Sequence, residues 1–131
     1  MRISVDTNVL LRGVVHDDES QALAAGKALR EASLIVVSLP CLCEFVWVLR
    51  RVYNFDNTSI AVAVRALAAT EKVAMNRPAV EAGLAVLEAG GDFADGIMAC
   101  EGNWQGAETF VSFDRKAVSL LTNLGLAARL L

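Results

Sequence analysis

The chain opens Arg2-Ile3-Ser4-Val5-Asp6-Thr7-Asn8, a run that ends on an acid. Ile3 to Val5 reads as a short buried strand, with Asp6 at its carboxyl end. The pattern returns late, where Thr109-Phe110-Val111-Ser112-Phe113-Asp114 again closes on an aspartate. Acids at the carboxyl ends of buried parallel strands lie in the crevice where such sheets bind ligands. These two runs therefore point to an α/β fold and to one rim of its sheet as the functional edge.

Between them, strand and helix signals alternate. Val9, Leu10 and Leu11 continue an apolar run into a turn. Asp17-Asp18-Glu19-Ser20 supplies caps for a helix reaching about Ala32, and Leu34 to Ser38 is a buried strand. Pro40 suits the first turn of a helix reaching about Tyr53. Ser59 to Ala69 and Ala79 to Ala89 carry helical periodicity, with Val73 to Met75 a short strand between them. Gly90-Gly91 ends the second of these helices, and Asp92 caps another from Phe93 to about Gly102. Thr109 to Ser112 is a strand, Arg115 to Leu121 a helix, and Leu126 to Leu130 a final edge strand. Short loops between alternating elements imply a parallel sheet with helices on both faces. No repeat, linker or low-complexity tract divides residues 1–131, so a single domain is expected.

Composition narrows the class. Hydrophobic residues make up 55% of the chain, and mean hydropathy is +0.46. A parallel sheet buried on both faces explains part of this, and apolar surface covered by a second chain would explain more. Uncharged runs such as 32–43 reach only about half the length a bilayer needs, so no membrane span is expected. The N-terminus has no secretion-signal pattern. Cys41, Cys43 and Cys100 are odd in number and form no C-x-x-C pair, which fits reduced thiols and a cytoplasmic protein. The single histidine, His16, argues against a structural zinc site and excludes a ribonuclease that uses two histidines as acid and base. Net charge is −3, which weakens bulk electrostatic binding of nucleic acid but leaves room for a local basic patch.

Four acids stand out. Asp6 and Asp114 end strands. Glu44 lies in Leu39-Pro40-Cys41-Leu42-Cys43-Glu44-Phe45-Val46-Trp47-Val48-Leu49, otherwise wholly apolar. It is either paired or metal-bound in a buried setting, or solvated on an exposed helix face. Asp95 lies one helical turn after Asp92; Asp92 reads as a helix cap or a ligand, and Asp95 as dipole compensation or a ligand. If such carboxylates crowd to an assumed ~5 Å at an effective dielectric of ~20, each charged pair costs roughly 3 kcal/mol. A cation among them removes that cost. Oxygen donors without histidine or thiolate suit Mg²⁺ or Mn²⁺, which acidify a water and neutralise a phosphate.

Taken together, Val5-Asp6-Thr7-Asn8-Val9-Leu10-Leu11-Arg12, Glu44-Phe45-Val46-Trp47-Val48-Leu49, Asp92-Phe93-Ala94-Asp95 and Ser112-Phe113-Asp114-Arg115 resemble the PIN-domain family, and within it the VapC-type toxin ribonucleases. The segments cover nearly the whole chain in order. The resemblance implies a three-layer PIN-like fold, with a central, mostly parallel sheet of four to five strands. It implies that Asp6, Glu44, Asp95 and Asp114 are catalytic metal ligands, supported by Asn8, Ser112 and, less directly, Asp92. It implies a Mg²⁺- or Mn²⁺-dependent endoribonuclease, with transfer RNA as a candidate substrate. A small VapB-like antitoxin would be its partner, with DNA contacted only through that antitoxin, and homodimers are common in the family. Gly96 stands where the family often has alanine, which is expected to loosen the helix start.

Arg115, Lys116 and Arg12 are the candidate RNA contacts; Arg50 and Arg51 end a helix, where the dipole favours cations in any case. Trp47 and Trp104 are either base-stacking or core residues. Other readings are a PIN-like RNA-processing nuclease without an antitoxin, a Mg²⁺-dependent phospho-acceptor signalling domain, and a binding module with a decayed site. The signalling domain wants adjacent acids early in the chain, which Asp6 lacks. All four acids being present argues against decay.

Overall fold

The computed structural model describes residues 1–131. The chain is α/β, with seven helices and five strands whose pairings are all parallel. Its contacts group into two compact units, Met1–Met75 and Asn76–Leu131.

The first unit contains β1 (Arg2–Ser4), α1 (Thr7–Val14), α2 (Glu19–Glu31), β2 (Leu34–Val36), α3 (Leu39–Arg51), α4 (Asn57–Ala68) and β3 (Val73–Ala74). The strand order is β1-β2-β3, with Ile3 opposite Ile35 and Ile35 opposite Val73. Leu10, Leu11, Val37, Leu42, Phe45, Leu49, Ile60 and Val64 are among its buried side chains. The second unit contains α5 (Arg77–Glu88), α6 (Phe93–Trp104), β4 (Phe110–Ser112), α7 (Arg115–Asn123) and β5 (Ala128–Leu130). Here β4 pairs with β5, Phe110 opposite Ala128 and Ser112 opposite Leu130. Phe110, Leu126 and Ala128 pack on buried Val86, Ala99 and Leu121.

Three features differ from the sequence reading. The five strands hydrogen-bond as a set of three and a set of two instead of one ladder. The strands also bury one face only: Arg2 and Ser4, Val36, Val111 and Arg129 are exposed. The apolar surplus therefore lies in the helices and on the surface, not in two-sided strands. Third, Val9-Leu10-Leu11 belongs to a helix instead of leading into a turn. Asp6 caps that helix, and Leu10 and Leu11 supply its buried side.

All seven helices begin the same way. Asp6, Asp18, Ser38, Asp56, Asn76, Asp92 and Asp114 each accept a hydrogen bond from a backbone N–H of the first turn. Each such cap contributes about 0.5–2 kcal/mol.

Helices α5 and α6 make the most extensive helix–helix contact of the chain, joined through Gly90 at φ +97°. Two glycines let them approach. A Cβ on Gly83 would lie 2.9 Å from the Phe93 ring, and one on Gly96 would lie 2.4 Å from the Ala82 carbonyl oxygen. Gly96 is therefore a packing requirement, which corrects the expectation that it merely loosens the helix start. Gly96→Ala should lower stability by about 1–3 kcal/mol through overpacking. Gly102→Ala, where the nearest atom is 3.9 Å away, should instead raise it by about 0.5–1 kcal/mol through helix propensity. Urea denaturation of the two variants reads both signs.

Candidate functional site

In the first unit, β1 delivers Asp6 to the start of α1. Its Oδ1 accepts from the Val9 N–H at 3.1 Å, and the side chain is exposed. Thr7, next along, is buried at 7% exposure, and its side chain hydrogen-bonds the Cys41 thiol on α3. Burial pushes that thiol's pKa up; the Thr7 bond opposes this, and the charges of Asp6 and Glu44 add to it. Both acids thus lie within electrostatic reach of one thiol.

Glu44 itself is exposed. Its apolar neighbours in sequence turn to other sides of α3, where Cys41, Leu42, Phe45, Val46 and Leu49 are buried. Its carboxylate is therefore available from solvent rather than trapped in the core, which resolves the two readings of its setting. Trp47, one turn on, is 58% exposed, so it is a surface residue here. Asn8 is exposed in the first turn of α1.

Arg12 is tied up locally. It forms an ion pair with Asp17, its side chain is only 15% exposed, and its Nε is buried without a partner. The Tyr53 hydroxyl donates to Asp17 Oδ2 at 2.9 Å. That hydrogen bond is the main reason the Asp17 carboxyl sits below its ordinary pKa; burial opposes it, and Arg12 adds to it. Of the three cations named as RNA contacts, Arg12 has this internal role, whereas Arg115 and Lys116 are exposed. His16 is exposed as well.

In the second unit, Asp92 caps α6 through Oδ1, accepting from the Ala94 N–H at 3.0 Å. Asp114 caps α7 in the same way, accepting from the Ala117 N–H at 3.1 Å. Ser112 Oγ accepts from the Asp114 N–H at 3.0 Å, so Ser112 fixes the backbone that carries this acid. Asp95 is half-buried in the first turn of α6. Burial raises its pKa, and the charges of Asp92 and Asp114 raise it further. The unit therefore brings both Asp92 and Asp114 within electrostatic reach of Asp95, although Asp114 is far from it in sequence.

The donors are all oxygens, the chemistry a hard divalent ion takes. Asp6, Asp92 and Asp114 each commit one carboxylate oxygen to a cap, leaving the second for a ligand. Within neither unit do three His, Cys, Asp or Glu side chains stand close enough together to hold a metal ion. The fit to a metal is thus one of donor type and charge, not of formed coordination.

Thr7 and Phe113 escaped the sequence reading. Thr7 could have been found as a polar residue on the side of α1 that carries Leu10 and Leu11. Phe113 was read only as part of the apolar run before Asp114; it lies just past the strand end at Ser112, and its ring is exposed.

An α/β chain whose acids stand at strand ends and cap the helices that follow is of the kind that binds ligands at the carboxyl edge of its strands. The PIN domain family matches residues 3–119, and the chain belongs to that family. PIN domains are in general nucleases that act with divalent metal ions. No curated protein matches the chain. No helix is long and apolar enough to cross a membrane, and none of the three cysteines forms a disulfide.

The placement of Asp6 and Glu44 about Cys41 has a direct readout. Asp6→Asn and Glu44→Gln each remove a negative charge that disfavours the thiolate, so the Cys41 pKa should fall in each variant and furthest in the double. The pH profile of alkylation, resolved by peptide mass from Cys43 and Cys100, measures it. An unchanged profile in all three variants would place the carboxylates away from the thiol.

Proposed function

We propose that this PIN domain, residues 1–131, is a Mg²⁺- or Mn²⁺-dependent endoribonuclease and the toxin of a VapBC-type pair. The observation that carries the reading is the grouping of its acids. In the first unit the charges of Asp6 and Glu44 both reach one thiol, and in the second those of Asp92 and Asp114 both reach Asp95, within a chain matched to a nuclease family along 3–119.

In this reading Asp6, Glu44, Asp95 and Asp114 hold the metal. When bound, such an ion supplies charge neutralisation at the phosphate and an acidified water. The chain's own residues do the positioning. Ser112 holds the Asp114 backbone, and the cap hydrogen bonds hold the Asp6 and Asp114 carboxylates in place. Asn8 and Asp92 stand beside these acids in sequence and serve as hydrogen-bonding support. Arg115 and Lys116, exposed directly after Asp114, take substrate phosphates, and transfer RNA is the first substrate to test. A small antitoxin covering exposed apolar side chains, and a homodimer, account for surface residues such as Trp47, Val62 and Trp104. A cytoplasmic location follows from the same reading and fits thiols that form no disulfide.

The processing-nuclease reading uses the same site without an antitoxin. A neighbouring gene for a short DNA-binding protein separates the two.

The test compares wild type with Asp6→Asn on total RNA in Mg²⁺, in Mn²⁺ and in EDTA. Wild type should cut with either metal, stop in EDTA, and leave 5′-phosphate and 3′-hydroxyl ends. Asp6→Asn should lose more than the roughly 10–100-fold that second-shell changes cost. A 2′,3′-cyclic phosphate product, or cutting that persists in EDTA, contradicts the mechanism.

Arg115→Ala should weaken RNA binding and flatten its logarithmic salt dependence by about one unit of slope. Fluorescence anisotropy across a salt series measures this, and a slope equal to wild type removes Arg115 from the interface.

A further inference from the structure

We propose that Phe113 is a base-stacking platform, on which one nucleobase of a single-stranded RNA lies while Arg115 and Lys116 engage the adjoining phosphates. The inference rests on the nuclease reading above and deepens it, by naming the part of the substrate that a particular side chain recognises.

Phe113 is 81% exposed, the most exposed aromatic of the chain. It has no place in the core, where Phe110, one turn of chain earlier, packs with Val86, Ala99 and Leu121. Nor does it hang from a loose loop. The turn that carries it is held on one side by the Ser112 Oγ bond to the Asp114 N–H, at 3.0 Å. On the other side it is held by the Asp114 Oδ1 bond to the Ala117 N–H, at 3.1 Å. An ordered backbone thus presents an apolar ring to water, between strand β4 and helix α7.

The following residues give an independent reason to expect a ligand. Arg115 and Lys116 open α7, and both are exposed. The positive end of a helix dipole disfavours cations there, and first-turn acids are the usual choice. Helix stability therefore does not explain these two charges. The α7 start is already capped by the Asp114 carboxylate, so the two exposed side chains are what favour an added anion such as phosphate.

An exposed ring followed by two exposed cations matches what a single strand of nucleic acid offers: a π-face on each base and a charge on each link. An apolar protein partner fits less well, because Phe113 is followed immediately by the exposed charges of Asp114, Arg115 and Lys116.

The test is a cycle of substitutions on protein and strand. A short fluorescein-labelled oligoribonucleotide is titrated in EDTA, which blocks turnover, with intact strands and with strands carrying a single abasic site at successive positions. Phe113→Ala should bind the intact strand roughly tenfold more weakly than wild type. It should show no further loss on the one abasic strand that costs wild type a similar factor. Phe113→Trp should restore binding, and Phe113→Leu should not. In Mg²⁺, Phe113→Ala should raise KM with little change in kcat.

Phe113→Ala binding every strand as wild type does, while wild type binds and cuts RNA, overturns the stacking role and leaves the nuclease reading intact. Losses that simply add on every abasic strand also overturn it. So does a Phe113→Ala protein whose sedimentation shifts to a smaller species with RNA binding unchanged, which would make the ring a protein contact. Wild type that neither binds nor cuts RNA overturns both readings together.

Discussion

A carboxylate that caps a helix is held in position by the N–H groups of the first turn. Three acids of the candidate site are held this way: Asp6 on α1, Asp92 on α6 and Asp114 on α7. The caps fix side chains that would otherwise be free to swing away from like charges. Each uses one oxygen and leaves one free. Asp95 shows what happens without this device. It lies inside the first turn of α6, half-buried, and there the effects of burial, Asp92 and Asp114 add to raise its pKa. Of the three aspartates of this unit, Asp95 is the one that does not cap a helix. A bound divalent cation would relieve Asp95 most.

The same part of α6 carries the tightest packing of the second unit. Gly96 follows Asp95 directly, and its missing side chain lets α6 approach the Ala82 carbonyl and the Gly83 backbone of α5. The position of Asp95 is therefore tied to a close helix contact that tolerates no Cβ. Stability and site geometry share one constraint here, so a substitution at Gly96 would disturb both. Gly83 reinforces the contact from the facing helix, where the Phe93 ring and Ile97 fill the space its side chain would occupy.

Local features were legible in the sequence. Asp92 read as a cap because it precedes a helical pattern, and Gly90-Gly91 read as a helix end because a left-handed residue is needed there. The acids at strand ends were legible as a motif. Non-local features were not. Helix α1 was hidden because Val9-Leu10-Leu11, three consecutive apolar residues, read as a continuation of the preceding apolar run, although Thr7–Val14 as a whole buries one side. The setting of Glu44 stayed open because sequence neighbours in a helix point to different sides, so apolar flanks say little about exposure. The Arg12–Asp17 pair draws on Tyr53, thirty-six residues beyond Asp17, and no local pattern records that. Gly96 read as a weak helix residue because the α5 backbone it touches lies elsewhere in the sequence. The pairing of strands into sets of three and two depends on packing that the strand patterns do not encode.

The charge balance bears on how such a protein would hold RNA. A net charge of −3 gives no long-range attraction for a polyanion, and the acids of the candidate site add local repulsion. Arg12, spent on Asp17, contributes little to an exposed basic surface. On the proposed function, affinity must then come from sources that do not rely on overall charge. Divalent cations would convert the acidic groups from repulsive to attractive toward phosphate. Helix N-termini offer fixed N–H dipoles, and exposed rings such as Phe113 offer uncharged contact area. Such a surface would bind weakly away from the site and well only where metal, phosphate and base are engaged together. For an enzyme that cuts inside a strand, that concentrates binding energy on the bond to be broken instead of spreading it along the chain.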